Sequence, residues 1–371
     1  MRKILTFFLF CAVLYLYADT HEEIFDRTTK YLDRGGLTFQ YQNLENLNNQ
    51  VASLLDILGR NYVNDPEGQK IFKNFQILTE SMRFDELQSW GVSTKRLQSN
   101  LYANKLFTAV KPQSAGLLCA LMGKNNVRFR IGADLPAETI FAAGVYLDWN
   151  KFSDILEKSF SDKNEFNNFS VMFEQIAGIR IHDLMRNCTG EFFAGIFRGT
   201  KNREFHFAVI LPDNQNKLKL LAKRYFGPSL IQNKDGSAIF EMPVAASDFG
   251  SGVTVVFAHN QVYIYNSNAP IADLLKCGVN SKKLVDVSPE IFGMLKKIDG
   301  NSYAVVNLDI KDIDRNSDSH VYRIGSVCKY TGEGYFVSGI SDFNLQDISE
   351  YAVFFKLLPF SADTGSCGSE K

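Results

Sequence analysis

The sequence predicts an α+β protein in which helices pack on antiparallel sheet, preceded by an N-terminal helical segment. Three observations carry this expectation. Apolar residues between Glu22 and Met82 recur at helical spacing, and paired β-branched and aromatic runs meet at turn-forming residues. A unit of strand, then Asp or Asn, then helix also recurs along the chain. Hairpins joined by helices favour such a design over regular alternation of parallel strands and helices.

The first residues, MRKILTFFLFCAVLYLYADT, set Arg2 and Lys3 before an apolar run from Ile4 to Tyr17 and close on the small residue Ala18. A basic start, an apolar middle and a small exit residue form the pattern of a secretory signal peptide over residues 1–18. The expectation is an exported protein, periplasmic or secreted. An uncleaved N-terminal anchor is the alternative reading, although the run is shorter than the roughly 20 residues that cross a bilayer. No later segment reaches that length, so no membrane span is expected in the mature chain.

Residues 19–90 read as helical. Leu44, Leu47, Val51, Leu54, Leu55 and Leu58 recur at spacings of three and four and stop at Gly59. Asp65-Pro66 supplies a cap and a first-turn proline for a second helix carrying Ile71, Phe72, Phe75 and Leu78.

Residues 91–360 read as the α+β domain, and 361–371 as a flexible tail. LFTAV (106–110) and GLLCALM (116–122), separated by KPQSA, make one candidate hairpin. VTVVFAHNQVYIYN (253–266) makes a second, turning at His259-Asn260, where asparagine suits a positive φ. Strand FAAGVYL ends at Asp148 before a helix carrying Trp149, Phe152, Ile155, Leu156 and Phe160. FHFAVIL ends before Asp213 and a helix carrying Leu218, Leu221, Ala222 and Tyr225; VYIY is followed by Asn266 and Asn268; SYAVVNL ends at Asp309. Asp148, Asp213 and Asn268 sit where a side-chain oxygen caps a helix's free N–H groups.

Forty basic residues stand against 41 acidic ones. That balance gives no electrostatic reason to expect nucleic acid or an anionic membrane surface as partner. Lys217, Lys219, Lys223 and Arg224 form a basic cluster that reads as the wet face of an amphipathic helix. Beyond Cys11 in the leader, Cys119, Cys188, Cys277, Cys328 and Cys367 are far apart, with no CxxC pair to suggest a zinc or thioredoxin-type site.

Five histidines are scattered singly, and no HExxH, GxSxG or GxxxxGK[ST] pattern occurs. Thr189-Gly190-Glu191 reads as a turn. No catalytic set and no required cofactor assemble from these residues. In DIKDIDRNSDSH (309–320), Asp312, Asp314, Asn316 and Asp318 alternate as oxygen ligands for Ca²⁺ would. Ser317 stands where a calcium loop wants glycine and Arg323 where it wants glutamate, so a solvated acidic turn is the competing reading.

LPAETIFAAGVYLD, QIAGIRIHDLMRNCTGEFFAGIF and TVVFAHNQVYIYNSNAPIADLL, with SWGVSTKRLQSNLYANKLF before them, resemble the recurring blocks of uncharacterised exported bacterial proteins. The resemblance implies an exported α+β protein of the bacterial envelope and brings no activity with it. The functional expectation is a non-enzymatic protein that binds a protein partner or a small apolar ligand. The alternative is a metal-dependent hydrolase using Ca or Zn, built on Asp309, Asp312 and Asp314 with an incoming histidine.

Overall fold

A computed structural model describes residues 22–344 except 61–64, 66–68, 70–71, 74–75, 77–78, 115, 117–118, 121–122, 151–169, 177, 200–204, 228–230, 233–236, 248–249, 267–281 and 313–317. The leader, the tail, Asn268 and Cys277 therefore lie outside the described residues.

Thirteen strands form one antiparallel sheet among the described residues. In chain order the strands are β1 (Thr38–Asn43), β2 (Leu87–Gln98), β3 (Leu101–Val110), β4 (Val127–Arg128), β5 (Thr139–Leu147), β6 (Gly190–Arg198), β7 (Phe205–Pro212) and β8 (Ile231–Gln232). They continue with β9 (Ala238–Ser247), β10 (Gly250–Ala258), β11 (Gln261–Tyr265), β12 (Asp299–Gly300), β13 (Ser302–Asp309), β14 (Val321–Tyr330) and β15 (Gly334–Ser341). Across the sheet the order is β1-β2-β3-β15-β14-β13-β5-β6-β7-β11-β10-β9-β8, and β4 pairs separately with β12.

This order contains an internal two-fold. The meanders β1-β2-β3 and β5-β6-β7 recur, in chain order, as β9-β10-β11 and β13-β14-β15. The repeats are intertwined, because β3 pairs with β15 while β11 pairs with β7. The axis falls between β5 and β13, which pair with each other, and the short ribbon β4·β12 joins the two segments that lead into them.

The fold expected from sequence is corrected by this sheet. The described helices are few and short: α1 (Glu22–Thr29), α2 (Leu47–Gly59), α3 (Ile181–Asn187), α4 (Lys217–Phe226) and α5 (Pro289–Phe292). The protein is dominated by antiparallel β-structure rather than being an α+β assembly behind a helical segment. Residues 19–90 are themselves interrupted by β1 and enter β2 at Leu87. These strands escape a periodicity reading because their buried positions are polar: Ser89, Ser93 and Thr94 are all buried. The first candidate hairpin is also corrected. LFTAV is the end of β3, whose partners are β2 and β15, whereas Cys119 and Ala120 are helical and the amide of Ala120 donates to Gly116 O. The second hairpin forms as read, with His259 and Asn260 at φ 52° and 58°, the left-handed pair that a two-residue turn needs.

One face of the sheet, the inner face, packs on residues 127–135 and 284–298. Phe193, Phe197, Ala208, Ile210, Tyr303 and Val305 meet Phe129, Leu135, Leu284, Phe292 and Leu295 there. The opposite, outer face is covered towards its two ends. Leu47 and Val51 of α2 pack near Val110, Trp90 and Tyr335, and Leu218 and Ala222 of α4 pack on Ala238, Phe257 and Val262.

Candidate binding surface

Between those two covered ends the outer face of β13, β5, β6 and β7 is mostly apolar, with Ser302 beside Val145 at one margin and Arg198 at the other. In a half-buried antiparallel sheet the solvent side alternates to polar residues; strands apolar on both sides imply cover on both. Here FAAGVYL and FFAGIF carry no charged side chain, and their one hydroxyl belongs to Tyr146, which packs on the inner side. Cross-strand register sorts their outward residues into rows. Ile324, Val306, Phe141, Ile196 and Phe207 form one continuous row over five strands. The adjacent row is small, with Ala304, Ala143 and Ala194 side by side and then Val209. Val145 and Phe192 stand beyond it as the opposite bank.

The result is a trough with an alanine floor running across the strands. Its banks are four residues apart along each strand, or roughly 13 Å. Phe141 and Ile196, direct cross-strand partners in the middle of the sheet, are each 37% exposed, and Ala194 is exposed beside them. Past the bulky bank, the Arg198 guanidinium donates to Asp312 Oδ2 at 2.8 Å and to Asn307 O at 2.5 Å. The pair is partly buried and mutually neutralised, so the rim brings no net charge to the trough.

That pairing bears on the expected calcium loop. Asp312 is held by Arg198 and also accepts the Asp309 amide at 3.2 Å, Asp318 is exposed, and Asp314 and Asn316 lie outside the described residues. Among the described residues no group of three or more His, Cys, Asp and Glu is placed to hold a metal ion. Asp309 accepts the Lys311 amide at 3.0 Å and the Ser319 hydroxyl at 2.7 Å, so its carboxylate organises its own turn.

Two of the Asp-ended strands are structural in the way their spacing suggests. Asp148 Oδ1 accepts the Asn150 amide at 3.2 Å. Asp213 is buried, and its two oxygens accept the Leu218 and Lys219 amides of α4's first turn at 3.0 and 3.1 Å and the Asn187 side-chain amide at 2.6 Å. It reaches them from before the N-cap position, which Asn216 occupies with φ 54°. The internal two-fold pairs Asp148 with Asp309 and Asp213 with Asp342, the residue after β15. Asp342 accepts the Arg323 amide at 2.7 Å and guanidinium at 3.1 Å, a pairing the sequence did not disclose.

On the inner face, Glu191 lies in β6 and is not a turn residue. Its carboxyl is pushed above the usual glutamate range by burial, opposed by the amides of Arg130 and Ile131 and the charge of Arg130. The Tyr303 ring crosses directly over Gly144, where a Cβ would lie 2.2 Å from the ring, and burial with the nearby Glu191 charge holds its phenol protonated. Phe129 meets the Tyr303 ring edge-on and Gly132 lies close against it, so the pair braces the cover over the core. The free thiols Cys119, Cys188 and Cys328 are similarly inert, with burial raising each, Cys188 to about 11.

No family model, curated protein or solved structure matches the chain. No described helix is long and apolar enough to cross a membrane.

Proposed function

We propose that this is an exported, non-catalytic binding protein of the bacterial envelope whose outer trough receives an amphipathic helix of a partner protein. The observation that carries the proposal is the exposure of Phe141 and Ile196 at the centre of the sheet. Apolar neighbours on adjacent strands gain by being covered, and contiguous apolar patches mark interaction sites. A trough of roughly 13 Å accepts a helix, whose diameter with side chains is about 10–12 Å. The alanine floor lets the partner's backbone approach, and the banks take apolar residues at i, i+3, i+4 and i+7. The absence of net charge at the Arg198–Asp312 rim favours an apolar contact line over an electrostatic one.

The test is a pair of charge insertions on the trough, Phe141→Asp and Ile196→Asp. Both side chains already face solvent, so the fold is expected to survive, while the complex isolated from the source cells dissociates. Retention of the same partner at wild-type yield by the folded double variant contradicts the proposal. Loss of a bound lipid rather than a protein would reassign the trough to a small apolar ligand.

A further inference from the structure

The bulky row of the trough leads to the point where the last segment of the chain departs. Beyond Ile324 the row continues to Ser341, the final residue of β15 and the direct cross-strand partner of Ile324. Asp342 is held by Arg323, and the Phe343 ring then meets Tyr322 edge-on, with centroids 5.3 Å apart. Tyr322 alternates onto the same side of β14 as Ile324, so Phe343 is on the outer face, beside one end of the trough. Residues 345–371 lie outside the described residues. Their sequence carries a helix pattern. Asp347 and Glu350 stand as N-cap and N3 of a capping box before an apolar run, and Pro359 ends it. Ile348, Tyr351, Ala352, Phe355 and Leu358 fall at i, i+3, i+4, i+7 and i+10, a single stripe, while Ser349, Glu350 and Lys356 point away from it. The internal two-fold supports the same expectation. β7 ends at Pro212 and α4 begins at Lys217; its counterpart β15 ends at Ser341 and this pattern begins at Ile348.

We propose that residues 347–358 form a helix that lies in the trough of the free protein, its apolar stripe on the Ala304, Ala143 and Ala194 floor, and that a partner helix has to displace it. This rests on the trough being a helix-binding surface and adds what fills it when no partner is bound. The dimensions agree. Residues 348–358 make about 16 Å of helix, and the four strands from β13 to β7 span about 14 Å. Extended, Asn344 to Asp347 reach about 13 Å, enough to pass β14 and arrive at β13, about 10 Å from β15. Phe355 stands at the middle of the stripe and fills the space that the alanine row leaves. Asp347, Glu350 and Lys356 nearly balance one another, which suits a rim without net charge. The other outer floor within reach, on β2, β3 and β15, is Thr94, Asn104 and Ser341, already hydrogen-bonded to one another and offering an apolar stripe nothing. A segment tethered this closely competes at an effective concentration of about 1 mM. Modest contacts therefore keep it seated, and a tighter partner still removes it.

The experiment is photocrosslinking of the purified full chain with benzoylphenylalanine at Ile196, or at the exposed Gln40 as control, followed by peptide mapping. It is repeated in the background Tyr351→Asp, Phe355→Asp. The expected result is an adduct within one chain, from Ile196 to a peptide of residues 345–360, at a yield independent of protein concentration. The double variant should lower that yield roughly tenfold, since carboxylates set on an apolar floor are desolvated without a partner. Circular dichroism checks that the variant keeps its strands. No adduct to this segment in the folded wild-type chain, equal yield from Gln40, or full yield in the folded variant overturns the proposal. A concentration-dependent adduct between two chains overturns it in favour of a second copy. The partner reading fails separately. In the source cells the same variant should raise the partner adduct at Ile196 several-fold. A segment adduct in the purified chain with no partner adduct from cells supports this inference and removes the partner; a partner adduct without a segment adduct does the reverse.

Discussion

The N-terminal end of the sheet and its centre are joined by the same antiparallel ladder but buried by different chemistry. In β2, β3 and β15 the buried positions include Ser89, Ser93, Thr94, Asn104 and Ser341. They are satisfied by one another and by neighbouring backbone: Thr94 donates to Asn104 at 3.0 Å, Asn104 to Ser341 at 2.8 Å and Ser341 to Phe343 O at 2.6 Å. The Thr28 and Ser89 hydroxyls pair at 2.5 Å beneath α1. At the centre Ala142, Phe193, Phe197 and Val305 are buried without polar atoms, and the outer side of the same strands is mostly apolar too. One region is closed by specific hydrogen bonds; the other is adhesive on both faces and covered in its middle only in part.

The largest expected effect is at the centre. Phe193→Ala should destabilise the protein by about 3–5 kcal/mol in chemical denaturation, through lost transfer energy and the cavity left among Leu284, Phe292 and Tyr303. Next is Asn104→Ala, which strands the Thr94 hydroxyl and takes a donor from Ser341, whose own hydroxyl keeps Phe343 O, and should cost about 1–3 kcal/mol. The combined Thr94→Val, Asn104→Leu variant removes both sides of the Thr94–Asn104 bond, leaves Ser341 its bond to Phe343 O, and should recover much of that loss. A combined variant worse than Asn104→Ala alone would break the comparison, since packing rather than polar pairing would then decide that end.

Smaller still is the pH effect at Glu191. Its folded carboxyl is raised by burial, so its contribution to stability is complete below the unfolded glutamate value and is lost as pH rises through the folded value. Glu191→Gln should leave acidic stability little changed, flatten the decline towards neutral pH and raise Tm at pH 7 relative to wild type. A variant less stable at pH 7, with an unchanged pH profile, would show that the ionised carboxylate is what holds Arg130 and Ile131. Last is Ile196→Asp, expected to cost about 1 kcal/mol, because the side chain is 37% exposed and only the covered part of its apolar surface is lost.

The same contrast explains what could be read from the chain. Strands β5, β7, β11 and β13 were legible because their apolar runs are unbroken, and the His259-Asn260 turn because its residues tolerate positive φ. Strands β1 and β2 were obscured by Ser, Thr and Gln at positions that only pairing identifies as buried. GLLCALM looks like a strand by composition, and its neighbours rather than its residues make Cys119 and Ala120 helical. The trough had a signal that went unused: Phe141, Ala143, Ala194 and Ile196 are apolar where a one-sided sheet would carry polar residues. The row they form depends on register across β13, β5, β6 and β7, which no single segment encodes. Glu191 was hidden for the converse reason, since a glycine before it suggested a turn where the chain begins β6.

The most direct measurement is site-specific photocrosslinking in the source cells, with the probe at Ile196 and, as control, at the exposed Gln40 of β1. A reproducible protein adduct at Ile196, mapped by mass spectrometry to an amphipathic helix and absent at Gln40, is the predicted result. Equal yields at both positions, or no protein adduct at Ile196, would contradict the assignment of the central outer face as the binding surface.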